Sequence, residues 1–318
     1  MSTKEIGRSH NTTVVLSLDA ELSWGFHDRD NIPIERIRHA RESWMYILDL
    51  FDKYNIPATW AVVGHLFLDS CDGVHSDHPA GKEWFSRDPG GEYAPGSGWF
   101  ARDLINAIRD SESDHDIGSH SFSHIEFGKQ DVSKDVAEAE LQQSVNAAKT
   151  YGADLRSFVF PRNNIGYRSL LAEYDFVCYR GLSPERWYDG TPIRQFGKLA
   201  TFAFGLTPPP IVTPEIDEYG LVNVPASMYL FTFEGSVRDV VGTVTGDPVI
   251  RQVELGLEQL KDEEQGILHL WLHPNNITTE QDRHRMNRIA SRIAAYRDQY
   301  DIDVKTMCQV ANEVKSSD

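Results

Sequence analysis

Short apolar runs alternate along the chain with longer stretches of 3.6-residue period, a pattern that predicts a parallel sheet flanked by helices. Residues 13–18 read as the first strand. From Ile34, apolar residues at 34, 37, 44, 45, 48 and 51 mark one helix face that stops near Asn55, just ahead of Pro57. Residues 58–63 form a second strand, 101–109 a helix, 116–119 a short third strand and 132–151 a long helix. Further strands are expected over 157–160, 176–179, 267–272 and 302–306, with helices over 249–264 and 279–300 fitting between them. At 318 residues, one α/β barrel domain accommodates this alternation better than two domains do.

Two stretches break the alternation. Residues 75–99 are rich in Gly, Pro and aromatics, among them Trp84, Phe85, Tyr93 and Trp99. That is long for a structureless link, so the stretch serves either as a lid carrying exposed rings for a sugar or as an insertion that packs on itself. Residues 182–220 are similarly irregular and lead into a run, 221–226, that can add a strand. The domain plan is thus a flexible N-terminus over 1–12, then a barrel over 13–318 with insertions near 70–100 and 182–220.

Charge narrows the partners. Asp and Glu number 48 against 31 Lys and Arg, a formal net charge of -17. Such a field repels nucleic acid and anionic membrane surfaces. Acids spread through every segment resemble the surfaces of halophilic cytosolic proteins. Nothing apolar is long enough to span a bilayer, and the first ten residues lack the apolar core of a secretory signal, so a cytoplasmic location without membrane insertion is expected. The three cysteines, Cys71, Cys178 and Cys308, are odd in number and widely spaced, as suits reduced thiols behaving as small buried hydrophobes.

The chemistry-bearing residues stand where predicted strands stop: Asp19 and Glu21, His120, Arg162, and His273. Parallel strands of a barrel bring such ends to one face, so groups far apart in sequence can meet. His120 and His124, four apart, can stack one turn apart if the chain turns helical after Ser119, and then grip one divalent cation from the same side. Asp19 and Glu21, two apart on a strand, share a face; one can hold the metal while the other takes a proton from water. His273 ends an alternating strand just before Pro274, a position for a general acid that protonates a leaving group. His269 lies one layer deeper and reads as structural. His65, His75 and His78 read as polar surface or lid residues.

The segment from Leu48 to Gly64, with Ser17-Leu-Asp19-Ala-Glu21 before it and Gly118-Ser-His120-Ser-Phe-Ser-His124 after it, resembles the polysaccharide deacetylase family, carbohydrate esterase family 4. The resemblance spans roughly residues 13–306. It implies a distorted (β/α) barrel of seven or eight mostly parallel strands, one divalent metal (zinc, or another transition metal), and hydrolysis of an N-acyl group on an amino sugar. His120 and His124 match the family's metal-binding histidines, and Asp19 matches its catalytic base. The family's second acid is Ala20 here, so the Asp-x-Glu variant pattern gives the third metal ligand to Glu21. His273 inherits the acid role. Arg162, in Phe160-Pro-Arg162-Asn-Asn, stands near the family's arginine segment and is expected to orient Asp19, on the opposite side of the metal from His273. The family's Asp-Trp pair has no counterpart in Val177-Cys-Tyr-Arg180. Expected substrates are small molecules or glycans, in particular nucleotide- or lipid-linked amino sugars; oligomeric state stays open. Two alternatives remain: a related amidohydrolase or deformylase acting on another carbon–nitrogen bond, and a glycan-binding barrel without activity.

Overall fold

The computed structural model describes residues 11–232 and 246–317; the N-terminal segment expected to be flexible lies, up to residue 10, outside the described residues. Strand β1 (Asn11–Ala20) is central. Its residues from Asn11 to Leu18 pair in parallel with β11 (Gln265–Leu272), and Ser17 to Ala20 pair on the other edge with β2 (Thr59–Val62). The sheet continues in parallel through β5 (Asp116–Ser119), β6 (Ser157–Phe158), β7 (Cys178–Gly181) and β9 (Val222–Pro225). Short β10 (Met228–Tyr229) and antiparallel β8 (Glu215–Ile216) extend its two ends, and β12 (Asp303–Lys305) pairs below β2 on β1. A separate two-stranded ribbon, β3 (Ser70–Cys71) with β4 (Gly91–Glu92), lies in the first insertion. The result is a curled, mostly parallel half-barrel.

The helices follow from spacing and caps. α1 (Ile34–Tyr54) buries Ile37, Ala40, Trp44, Ile47, Leu48 and Phe51 and ends at Asn55, whose left-handed φ of 49° closes the last turn before Pro57. Between β4 and β5 runs α2 (Arg102–Asp110). α3 (Lys134–Tyr151) starts on a Ser133 side chain that accepts from the Val136 amide and stops at left-handed Gly152. Then come α4 (Arg168–Glu173), α5 (Arg194–Phe204), α6 (Pro248–Asp262), α7 (Glu280–Gln299) and α8 (Met307–Ser317). α5 lies within the stretch expected to be irregular. No helix of the described residues is long and apolar enough to cross a membrane.

Alternation along the strands sorts the interior into two cores. Val14, Leu16 and Leu18 of β1, with Trp60, Phe158, Leu268, Leu270 and Leu272, face the outer helices. Val15, Ala61, Cys178, Val222, Val224 and Ile267 face inward, where Met307, Val310 and Ala311 of α8 pack on them. Ser17, Asp19, His269 and Trp271 continue this inward face by two-residue periodicity. The inner surface therefore runs from apolar where α8 packs on it to polar at the strand tips.

One partly buried histidine and one wholly buried one make the fold acid-sensitive. His115 accepts a hydrogen bond from the Ala58 amide at its Nδ1, and burial pulls its pKa down to about 4. His269 is wholly buried; burial, then the Arg180 charge, lowers it to about 3. Both lie below the unfolded value near 6.5, so their stabilisation is complete above that pH and is lost as pH falls from 6.5 towards 4. Each is expected to contribute on the order of a few kcal/mol. Urea midpoints at pH 7.5 and pH 5 should differ accordingly, and His115→Gln should shrink the difference. A midpoint unchanged between the two pH values would refute this.

Candidate active site

Asp19 and Glu21 leave the upper end of β1 about 2% and 6% exposed. After Glu21 the chain turns through a 3-10 segment, Leu22–Gly25. A Cβ at Gly25 would lie 2.2 Å from the Glu21 carboxyl, so the glycine leaves that carboxyl its place. The Asn275 side-chain amide donates to Glu21 Oε1 at 3.0 Å, which leaves Oε2 to face the histidines.

His120 and His124 follow β5, but not on a helix. Ser121 and His124 take left-handed φ values of 59° and 68°, and this irregular turn, not helical stacking, brings the rings to a centroid separation of 5.0 Å. Buried Glu140 of α3 braces the turn by accepting from the Phe122 and Ser123 amides at 2.9 and 2.8 Å and from the Ser123 hydroxyl. His120 Nδ1 donates to the Val159 carbonyl at 2.8 Å, so its Nε2 presents a lone pair to the site. That Nε2 is buried and has no hydrogen-bond partner. Glu21 Oε2 lies 3.8 Å from it and 3.0 Å from His124 Nε2. The ligand atoms of Glu21, His120 and His124 all lie within 4.8 Å of one another. Two imidazoles, a carboxylate and an orphaned buried nitrogen fit a divalent metal. Burial works to raise the Glu21 carboxyl, but the charges and hydrogen bond of His273 and His124 outweigh it and lower it to about 2. Burial lowers His120 to about 4, the neutral form a metal ligand needs.

Asp19 is held by an arginine, and that arginine is Arg180. From β7, Arg180 donates Nη1 to Asp19 Oδ1 at 2.6 Å and Nη2 to Oδ2 at 2.8 Å, both side chains buried. Its guanidinium also donates to Ser17 Oγ at 3.1 Å and Asn163 Oδ1 at 3.0 Å and lies 4.4 Å from the Trp271 ring. His269 completes the support: Nδ1 donates to the Pro225 carbonyl, and Nε2 accepts from the Ser17 hydroxyl at 2.9 Å. Burial works to raise the Asp19 carboxyl, but Arg180, His120 and His273 hold it well below the carboxylate range. Arg162 does not take this role. It sits in a left-handed turn (φ 51°) that sends its guanidinium to Asp28 and Glu126, at 2.6 and 2.8 Å.

His273, at the end of β11, sets its Nε2 3.6 Å from Asp19 Oδ2 and 3.9 Å from Glu21 Oε1. Asp19 and His273 are thus neighbours, where opposite sides were expected. Its Nδ1 faces Asn276 Oδ1 at 3.3 Å, an acceptor fixed by the Tyr229 hydroxyl at 2.8 Å. At 22% side-chain exposure, His273 meets both the buried acids and the open mouth.

Five of the six residues singled out from sequence meet here, and Arg162 does not. Arg180, Asn275 and Glu140 were missed. Arg180 did carry a signal, a lone cation inside an apolar strand run; Asn275 and Glu140 carry none. The aromatics of the first insertion are not an exposed lid: Phe85 is buried, Trp84 packs edge-on against His27 at 4.5 Å, and Trp99 packs on Trp24. His65 and His78, expected on the surface, are buried as well.

Residues 27–175 match the family model for polysaccharide deacetylase, a span that includes His120 and His124 and begins just after Glu21. No curated protein matches the sequence. Among solved structures, a Mycobacterium smegmatis protein assigned as a polysaccharide deacetylase is 16% identical with a TM-score of 0.63, covering 100% of this chain and 93% of its own. The PuuE allantoinase is 13% identical with a TM-score of 0.60, covering 96% and 91%. A GH57-type branching enzyme from Pyrococcus horikoshii is 10% identical with a TM-score of 0.55, covering 97% and 71%. At these identities the likeness is one of fold. Residues 27–175 thus match the polysaccharide deacetylase family, hydrolases acting on the carbon–nitrogen bonds of acetylated sugars, and the half-barrel around them has the fold of the solved structures above.

Proposed function

We propose that the chain is a metal-dependent deacetylase removing the N-acetyl group of an amino sugar carried on a nucleotide- or lipid-linked glycan precursor, with zinc as its metal. The convergence of Glu21, His120 and His124 around an unpartnered buried nitrogen is the observation that carries this reading. A metal held by these three residues supplies Lewis acidity for an acyl oxygen and for water. Asp19, kept ionised by Arg180, accepts the proton of the attacking water. His273, reachable from the mouth and adjacent to Asp19, donates a proton to the departing amine. Arg180, Ser17 and His269 hold Asp19 in place, and Asn275 fixes the rotamer of Glu21.

Zinc-loaded protein should release acetate from an acetamido-sugar donor. Glu21→Ala should lose the metal at this site and cut the rate by on the order of 10² or more. Elemental analysis beside an acetate assay checks both. No acetate from free, nucleotide-linked or lipid-linked acetamido sugars would overturn the proposal; formate or ammonia released instead would assign the site to a related amidohydrolase.

A further inference from the structure

A second group of metal-binding side chains lies in the first insertion, apart from the site above. His65, just beyond β2, Cys71 on β3, and His75 and Asp88 in the loop between β3 and β4 bring one ligand atom each to within 4.8 Å of the others. His65 Nε2 lies 3.1 Å from Asp88 Oδ2 and 3.3 Å from Cys71 Sγ; Cys71 Sγ lies 3.3 Å and His75 Nε2 2.7 Å from Asp88 Oδ2. The His65 and Asp88 side chains are wholly buried, and His75 is 9% exposed.

We propose that His65, Cys71, His75 and Asp88 bind a second zinc-type ion, a structural one, that fastens the insertion to the wall of the active site.

The donor orientations support this. The Trp99 carbonyl, 3.1 Å from His65 Nδ1, can only accept, so Nδ1 carries the proton and Nε2 turns its lone pair to the cluster. Asp88 Oδ1 accepts from the Gly90 amide at 3.0 Å, which leaves Oδ2 as the inward oxygen. Asp72 accepts from the Val74 and His75 amides at 2.8 and 3.0 Å and shapes the turn that delivers His75. Zinc bonds of about 2.0–2.3 Å place neighbouring donors about 3.3–3.6 Å apart at tetrahedral corners. The three contacts of 3.1–3.3 Å are near that spacing, and the His75–Asp88 contact needs to open by under about an ångström. One thiolate, two imidazoles and a carboxylate make a closed four-donor set, as in structural zinc sites. A cavity of about 410 Å³ lined by Cys71, Asp72, His75 and Phe122 gives an ion a way in from solvent. The mechanical link is short: the Trp99 carbonyl bonded to His65 also accepts from the indole of Trp24, in the turn after Glu21.

Cobalt reports on this site separately, because its donor set contains sulfur and that of the active site does not. Metal-stripped full-length protein titrated with Co(II) should take up two equivalents and develop a thiolate-to-cobalt charge-transfer absorption. His124→Ala should bind one equivalent and keep that absorption; Cys71→Ser should lose it. Absence of the absorption in saturated wild-type protein whose circular dichroism shows a native fold would overturn the proposal, as would its persistence in Cys71→Ser. Catalytic inactivity alongside the absorption leaves this site standing and strikes only at the deacetylase reading.

Discussion

Arg180→Met is expected to lower acetate release by on the order of 10²-fold and to unfold roughly 10 °C below the wild type. Arg180 and Asp19 are buried partners joined by two hydrogen bonds, and removing one member of such a pair leaves the other charge stranded, at a cost of about 3–5 kcal/mol. Removing both is far less costly, so Arg180→Met combined with Asp19→Asn should regain much of the lost stability while remaining inactive. Arg162→Met supplies the contrast. Its partners Asp28 and Glu126 lie at the partly exposed rim, where an ion pair is worth about 1 kcal/mol or less, and turnover should stay within a few-fold of wild type. Calorimetry and steady-state kinetics on the three variants decide the matter; loss of activity in Arg162→Met with Arg180→Met intact would reverse the assignment.

His273→Ala is expected to reduce kcat by about 10²- to 10⁴-fold, the range of general acid–base help, with metal content unchanged. The imidazole faces both carboxylates yet lies outside the trio that would hold the metal. Its Nδ1 is oriented by Asn276, so only Nε2 is free to serve the reaction. An amide nitrogen leaves poorly as an anion, whereas an activated aryl ester leaves without a proton. The variant should therefore retain much more of its activity on an aryl acetate than on an acetamido sugar. Equal losses on both, or a fall in bound metal, would remove His273 from the proton-donor role.

The strands that build the site could be read because each is a short apolar run cut off by a polar tip, and the tips of parallel strands share one end. That logic reached Asp19, Glu21, His120, His124 and His273. It failed at Arg162 and Arg180 because linear order near a motif says nothing of side-chain direction. Arg162 occupies a left-handed turn that points it outward, while Arg180 points inward from a strand whose neighbours are Asn223 and Val224 of β9 and the tip of β6. α5 and α8 escaped for a different reason. The first lies among residues 182–220, where Gly and Pro obscure periodicity, and the second packs only a narrow stripe, Met307, Val310 and Ala311, on the inner face. The convergence of His65, Cys71, His75 and Asp88 is equally hidden, since donors from separate turns and strands share no spacing rule.

Helix α8 gives the inner face of the half-barrel an apolar floor. Met307, Val310 and Ala311 are seated against Val15 and Cys178, so the face that carries Asp19 at its polar tip is apolar at its other end. In the deacetylase reading, water and both products would therefore exchange at the strand tips, where that face turns polar.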